Sequence, residues 1–299
     1  MTDFYQIQAP AKINLFLHVV GQRHDGYHLI QSVFQLVNLF DTIEIKALSN
    51  PSLELSIPTP NVKAKDDLVL RAAQLLQNYT QSSLGAEIRV NKNIPIGAGM
   101  GGGSSDAAST LIALNELWRT HLPIEELCSL GIKLGADVPF FINGVNAFVE
   151  GIGEKLTAID LQPYDYFIIY PGISISTQEI FNDTELTRNH RQITILDFAE
   201  YESSKTFLSN DLEPIARKKY LVVTEAIEWL KMKIPGSNPM MTGSGSAVFC
   251  RLPPHFEAQN MLSQLPINWR GFIVRGLNQH PAYNLIRSSN KQQGSRQVG

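Results

Sequence analysis

Residues 95–108 read PIGAGMGGGSSDAA. Five glycines fall within the seven positions Gly97–Gly103, and the chain then runs directly into Ser104, Ser105, Asp106, Ala107 and Ala108. An ordered glycine loses more conformational entropy than any other residue, so a cluster this dense needs a reason. The preceding stretch AEIRVNKNIP (86–95) reads as a strand stopped by Pro95, and the following SSDAASTLIALNELW (104–118) as a helix opened by Ser or Asp capping residues. Strand, glycine loop and helix start together make an anion cradle from bare backbone amides and the positive end of a helix dipole. The triphosphate of a nucleotide is the obvious anion. Ser104 and Ser105 read equally well as helix caps or as ligand contacts, and Asp106 as a first-turn acid.

Three other glycine-loop readings fail on context. Gly97, Gly99 and Gly102 satisfy G-x-G-x-x-G, but a dinucleotide-binding unit needs a second strand after the helix, closing on an acid. Here a second helix follows, Pro123–Leu134, whose Glu125 and Glu126 are ordinary first-turn acids. No Gly-Lys-[Ser/Thr] follows the glycines, so this is not a Walker loop. A protein-kinase loop requires valine where Ser104 stands, and neither HRD nor DFG occurs downstream.

Outward from the loop, AKINLFLHVV (11–20) alternates as a strand, with Ile13, Leu15, Leu17 and Val19 on one face and Lys12, Asn14, Phe16 and His18 on the other. Asp25-Gly26 signals a turn, so 29–48 is expected to return beside it. Helices are expected at 66–79, 211–231 and 255–265, and strands at 164–172, 247–252 and 271–277, with GADVPFFINGVNAFVEG (135–151) as a turn leading to strands. Residues 182–195 form a polar stretch without a clear pattern, and the ending SSNKQQGSRQVG (288–299) is polar and non-periodic. Strands and helices mix without regular βαβ alternation, which favours α+β.

The bulk properties narrow the classes. With 299 residues and 43% hydrophobic content the chain can bury a large core. Its 25 basic and 28 acidic residues give a formal net charge of −3, which offers no positive field for a nucleic acid. Cys128 and Cys250 lie far apart and form no CxxC pair, as expected of reduced thiols. No stretch approaches the ~20 apolar residues of a membrane span, and the N-terminus lacks a signal-peptide core. The expectation is a cytoplasmic protein with neither nucleic-acid nor membrane partner, monomeric or homodimeric.

The residues resemble a known family. PIGAGMGGGSSDAA resembles the phosphate-binding motif of the GHMP kinases, the superfamily of galactokinase, homoserine kinase and mevalonate kinase. PAKINLFLHVVGQRHDGYH (10–28), LGADVPFF (134–141) and MTGSGSAVF (241–249) resemble more closely its branch acting on a cytidine-diphosphate-linked methylerythritol, and RGLNQHP (275–281) fits the usual ending of that branch. The resemblance implies a two-domain α+β GHMP kinase fold: an N-terminal ATP-binding domain over 1–157, a C-terminal ferredoxin-like domain over 158–287, a cleft between them and a disordered tail at 288–299. It implies an ATP-dependent phosphotransferase with an alcohol acceptor, the substrate's 2-hydroxyl, in the non-mevalonate route to isoprenoids.

Roles follow by the same resemblance. Asp137 would accept or orient the hydroxyl proton, and Lys12 would stabilise the developing negative charge. The loop Pro95, Ile96, Gly97, Ala98, Gly99, Met100, Gly101, Gly102, Gly103, Ser104 and Ser105 would bind ATP. Tyr27 and Phe181 would sandwich the pyrimidine, with His28 and Asn14 making polar contacts. Mg2+ is expected to arrive with ATP. Ser105 is a candidate ligand for it, but no pair of acids marks a metal site and none is assigned. Two departures stand out: Met100 replaces a common leucine, and Asp67 replaces an expected asparagine near the adenine, losing the amide's donor. The competing readings are another small-molecule kinase of the superfamily, against which the DGYH segment argues, and a non-catalytic nucleotide-binding sensor.

Overall fold

The computed structural model describes residues 4–57, 59, 62–204 and 208–285; the expected tail at 288–299 lies outside the described residues. Its spine is a long antiparallel hairpin of β1 (Tyr5–Gln22) and β2 (His28–Leu48), closed by the turn at Gly26, whose φ is +88°. At one end β2 pairs with β4 (Gly85–Asn91), which carries β3 (Leu53–Ile57) in parallel. Near its start β2 pairs with β5 (Ala147–Glu150), which in turn pairs with β6 (Lys155–Ala158). Through Leu36 and Val37 it meets β10 (Arg270–Leu277), and from there the ladder continues to β7 (Asp165–Tyr170), β9 (Val248–Arg251) and β8 (Met240–Met241).

The alternation expected along β1 does not divide core from solvent. Ile13 and Phe16, assigned to opposite faces, are both fully buried, and the register with β2 shifts between Asn14 and Leu17. A shift of this kind re-aims the side chains beyond it. Ile13 therefore joins a cluster with Ala98, Met100 and Tyr166, while Leu17 and Val19 join one with Phe167, Val223 and Val248.

The helices α1 (Leu68–Thr80), α2 (Gly102–Leu117), α3 (Ile124–Gly131) and α4 (Val138–Asn143) pack with β2 and β4 around the largest apolar cluster. Every residue of α2 from Ser105 to Asn115 is buried, which marks a helix enclosed on all sides. This helix starts two residues before the expected position. Its N-cap is Gly101, and neither Ser104, Ser105 nor Asp106 caps it. The stretch read as a turn at 135–151 contains α4, because Pro139 occupies a first-turn position where its missing N–H costs nothing.

On the other side lie α5 (Thr177–Phe181), α6 (Ile195–Ser204), α7 (Glu213–Lys219), α8 (Leu221–Lys233) and α9 (Gln259–Leu262). The single helix expected over 211–231 is two, broken at Tyr220 with its extended backbone (φ −130°, ψ 91°). The helix expected near 255–265 shortens to α9. No helix among the described residues is long and apolar enough to cross a membrane.

Candidate active site

A cleft of about 1000 Å³ opens between the glycine loop, the start of β2 and α5. One wall is the loop itself, where Gly97, Gly99 and Gly101 take positive φ values of 67°, 78° and 71°. The residues between them, Ala98 and Met100, are buried in the apolar cluster that contains Ile13. The carbonyls of the loop are tied to the protein: Met100 O accepts from Lys12 N, Ala98 O from Ala247 N and Gly97 O from Ile175 N. Among the described residues, none of the amides of residues 96–101 donates to a protein acceptor. The backbone is thus anchored by its acceptors, with its donors left for an anion.

Glycine is required here by contact as well as by conformation. A Cβ on Gly99 would lie 2.1 Å from Thr242 O, and one on Gly101 would lie 2.9 Å from Phe141. The second glycine loop, Thr242 to Ser246, braces the first from behind. Thr242 Oγ1 accepts from Asn14 N at 3.0 Å, and Asn210 Nδ2 donates to the carbonyls of Met241 and Gly243.

Below the loop, β1 presents Lys12 and Asn14 on one face, as the alternation predicts. Lys12 is buried, and its ammonium donates to Asn14 Oδ1 at 2.5 Å and stands 4.3 Å from the centre of the Phe34 ring. Asp137 Oδ2 is 3.7 Å from Lys12 Nζ. Burial pulls the Lys12 pKa down, and the Asp137 carboxylate opposes it. Asp137 occupies the N-cap position of α4 but makes no capping hydrogen bond with its side chain, which leaves the carboxylate for the cleft.

At the far end stand Tyr27, His28 and Phe181, all lining the cleft. Tyr27 lines the cleft and is 60% exposed, so it does not belong to the core. His28 is buried, with its ring centre 5.1 Å from that of Phe181 at an angle of 35°. The cleft therefore brings together Lys12, Asp137, Asn14, Tyr27, His28, Phe181 and the loop from Pro95 to Ser104. Ser105 is the exception among the expected contacts: it is fully buried, does not line the cleft, and its Oγ has no partner.

The lining residue Lys92 has no signal in the sequence, and neither do its partner Asp41 and the Arg188 that stands behind His28. Lys92 bridges the carboxylates of Asp41 and Asp106, the latter at 2.6 Å, directly behind the loop. Burial raises the Asp106 pKa to about 7, Asp41 adding to the shift and Lys92 opposing it. Separations of 51 and 14 residues hide this cluster from any local pattern. Asp67 caps α1, accepting from Val69 N at 2.9 Å. It also lines the cleft, and its Oδ2 is buried without a partner. It offers an acceptor where the expected asparagine would offer a donor. Arg188, from the patternless stretch, holds His28.

Among the described residues no cluster of three acids, histidines or cysteines could hold a metal ion. Ser105, the one side chain expected as a magnesium ligand, does not reach the cleft.

The comparisons agree with this geometry. Residues 67–145 match the family model of the GHMP kinases N terminal domain. A protein of Polynucleobacter necessarius subsp. necessarius (strain STIR1) named 4-diphosphocytidyl-2-C-methyl-D-erythritol kinase is 52% identical over 287 residues, covering 95% of this chain and 96% of its own. One of the same name from Ralstonia nicotianae (strain ATCC BAA-1114 / GMI1000) is 46% identical over 280 residues, covering 94% and 96%. A crystal structure of 4-(cytidine 5'-diphospho)-2C-methyl-D-erythritol kinase superposes with a TM-score of 0.79 at 30% identity, covering 91% of this chain and all of that one. A mevalonate kinase structure, 17% identical, shares the fold with a TM-score of 0.66, covering 92% of this chain and 100% of its own. The expected α+β GHMP kinase fold and phosphotransferase class are borne out, and the chain belongs to the 4-diphosphocytidyl-2-C-methyl-D-erythritol kinase family of the ATP-using GHMP kinases.

Proposed function

We propose that this protein transfers the γ-phosphoryl group of ATP to the 2-hydroxyl of 4-diphosphocytidyl-2-C-methyl-D-erythritol, a cytoplasmic step of the non-mevalonate isoprenoid pathway. The observation that carries this reading is the Lys12–Asp137 pair at 3.7 Å, set between the glycine loop and the Tyr27–His28–Phe181 end of one cleft. The loop amides hold the β- and γ-phosphates, and the aromatic end holds the cytosine, so the hydroxyl lies between them. Its oxygen attacks the γ-phosphorus as the bond to the β-phosphate oxygen of departing ADP breaks. The hydroxyl proton passes to Asp137. Lys12 neutralises charge on the transferring group, and Asn14 fixes the lysine through its Oδ1. Such a transfer depends on alignment and electrostatics more than on a strong base. Magnesium accompanying the ATP co-substrate would neutralise charge on the phosphates, with no residue of this chain assigned to hold it. Residues 1–157 carry the nucleotide and residues 158–287 close the cleft opposite, the division suggested by the sequence.

Asp137→Ala tests the reading. Turnover should fall on the order of 10²–10⁴-fold, the usual contribution of a positioned proton acceptor. ATP affinity by direct titration should stay within a few-fold. Turnover in that variant close to the wild-type rate would remove Asp137 from the chemistry.

A further inference from the structure

Arg188 makes four hydrogen bonds, and their pattern fixes more than a loop. Nη1 donates to Leu186 O at 3.0 Å, and Nη2 donates to Phe181 O at 3.1 Å and to Asp183 O at 2.7 Å. A fourth donor, Nε–H, points to His28 Nε2 at 3.0 Å. A guanidinium has donors only and does not lose its charge in a protein. His28 Nε2 must therefore accept, so a neutral His28 carries its proton on Nδ1. Burial and the neighbouring Arg188 charge both push the His28 pKa down, which keeps the ring in that neutral form.

His28 lines the cleft beside Phe181, and Nδ1 is its one polar ring atom not engaged by Arg188. The remaining ring nitrogen of this lining residue is thus a fixed N–H donor. A donor opposite ring position 3 tells the two pyrimidines apart: cytosine N3 accepts, whereas uracil carries a proton on N3 and would set donor against donor. We infer that Arg188 is a specificity-determining positioning residue, which selects cytosine over uracil by locking His28 as an Nδ1–H donor. This inference rests on the substrate class proposed above. No chemical step falls to Arg188, whose part in base choice runs through His28.

The consequence is a base preference that can be switched off without touching the reacting atoms. A site that loses a buried hydrogen bond and gains an opposed donor discriminates by roughly 10- to 100-fold. The wild-type enzyme should favour the cytidine substrate over its uridine counterpart by that factor in kcat/KM. Arg188→Met keeps the length of the side chain but removes the donor. His28 then shifts toward the Nε2–H tautomer, turns an acceptor to the base, and the preference falls toward unity. Arg188→Lys restores a donor opposite Nε2, so it should recover the preference even where the loop carbonyls lose partners.

The experiment is a pair of measurements on the full chain. The tautomer of His28 is read from long-range ¹H–¹⁵N correlations on ¹⁵N-histidine-labelled protein, and kcat and KM are measured with the cytidine and uridine diphosphate-linked substrates. Expected are an Nδ1–H signature in the wild type and in Arg188→Lys, its loss in Arg188→Met, and a parallel loss of base preference. An Nε2–H signature in the wild type would overturn the inference. So would an Arg188→Met enzyme that weakens both substrates equally with the ratio intact, since that is the mark of a merely structural role. Failure of the wild type to use the cytidine compound would count against the proposed reaction, whereas the NMR reading judges the tautomer lock by itself.

Discussion

The two ends of the cleft are built in opposite ways. The phosphate end is one continuous segment, Pro95 to Ser104, with its carbonyls pinned to β1, to Ala247 just past the second glycine loop and to Ile175. The base end is assembled from distant parts: Tyr27 and His28 from the β1–β2 turn, Phe181 from the end of α5, and Arg188 from the irregular chain beyond. A contiguous cradle is specified by backbone geometry, so its tolerance is set by Cβ atoms and φ angles. An assembled pocket is specified by a few directed hydrogen bonds, so its tolerance is set by which donors and acceptors remain. The phosphate end should accordingly fail by losing its shape, and the base end by losing its selectivity.

Gly99→Ala should have the largest effect. At φ +78° an alanine is strained, and its Cβ would meet Thr242 O at 2.1 Å, forcing the two glycine loops apart. Thermal unfolding should shift downward and ATP titration should show weakened binding. Unchanged values for both would mean that the loop does not depend on its conformation.

The next effect concerns charge behind the cradle. Folded Asp106 titrates at about 7 against an ordinary 3.8, burial being the main cause. Between those values the folded protein holds a proton that the unfolded chain has released, so this group makes stability fall as pH rises through that window. Asp106→Asn removes the titration. The drop in denaturant midpoint from pH 5 to pH 7.5 should therefore be larger in the wild type than in the variant. Equal drops would place the proton elsewhere.

Met100→Leu is the smallest change. Met100 is buried in the loop at 1% exposure, and a swap of similar volume should cost less than about 1.5 kcal/mol. Activity should be unchanged. A loss of ATP affinity would mean that the side chain, and not only the backbone, shapes the cradle.

The same contrast explains what the sequence disclosed. The glycine loop, Lys12 with Asn14 and Asp137 lie in short motifs whose chemistry is local, and all of them line the cleft. The start of α2 lies ahead of the expected serine because Gly101, a residue without a capping side chain, occupies the N-cap. The helix α4 hides in the sequence because Pro139 reads as a breaker unless its first-turn position is known. Arg188 and the Lys92–Asp41–Asp106 cluster were illegible for a different reason. Arg188 bonds to His28 across 160 residues, and Asp41 to Lys92 across 51, so only the folded chain makes them neighbours.

The most direct test of the central claim is ADP release from ATP and magnesium, with and without 4-diphosphocytidyl-2-C-methyl-D-erythritol, with homoserine, mevalonate and galactose as parallel acceptors. ADP that appears only with the cytidine compound is the predicted result, since only that acceptor fills both ends of the cleft. ADP with another acceptor and none with the cytidine compound would contradict the account, leaving the phosphate cradle in place and removing the base end from its function.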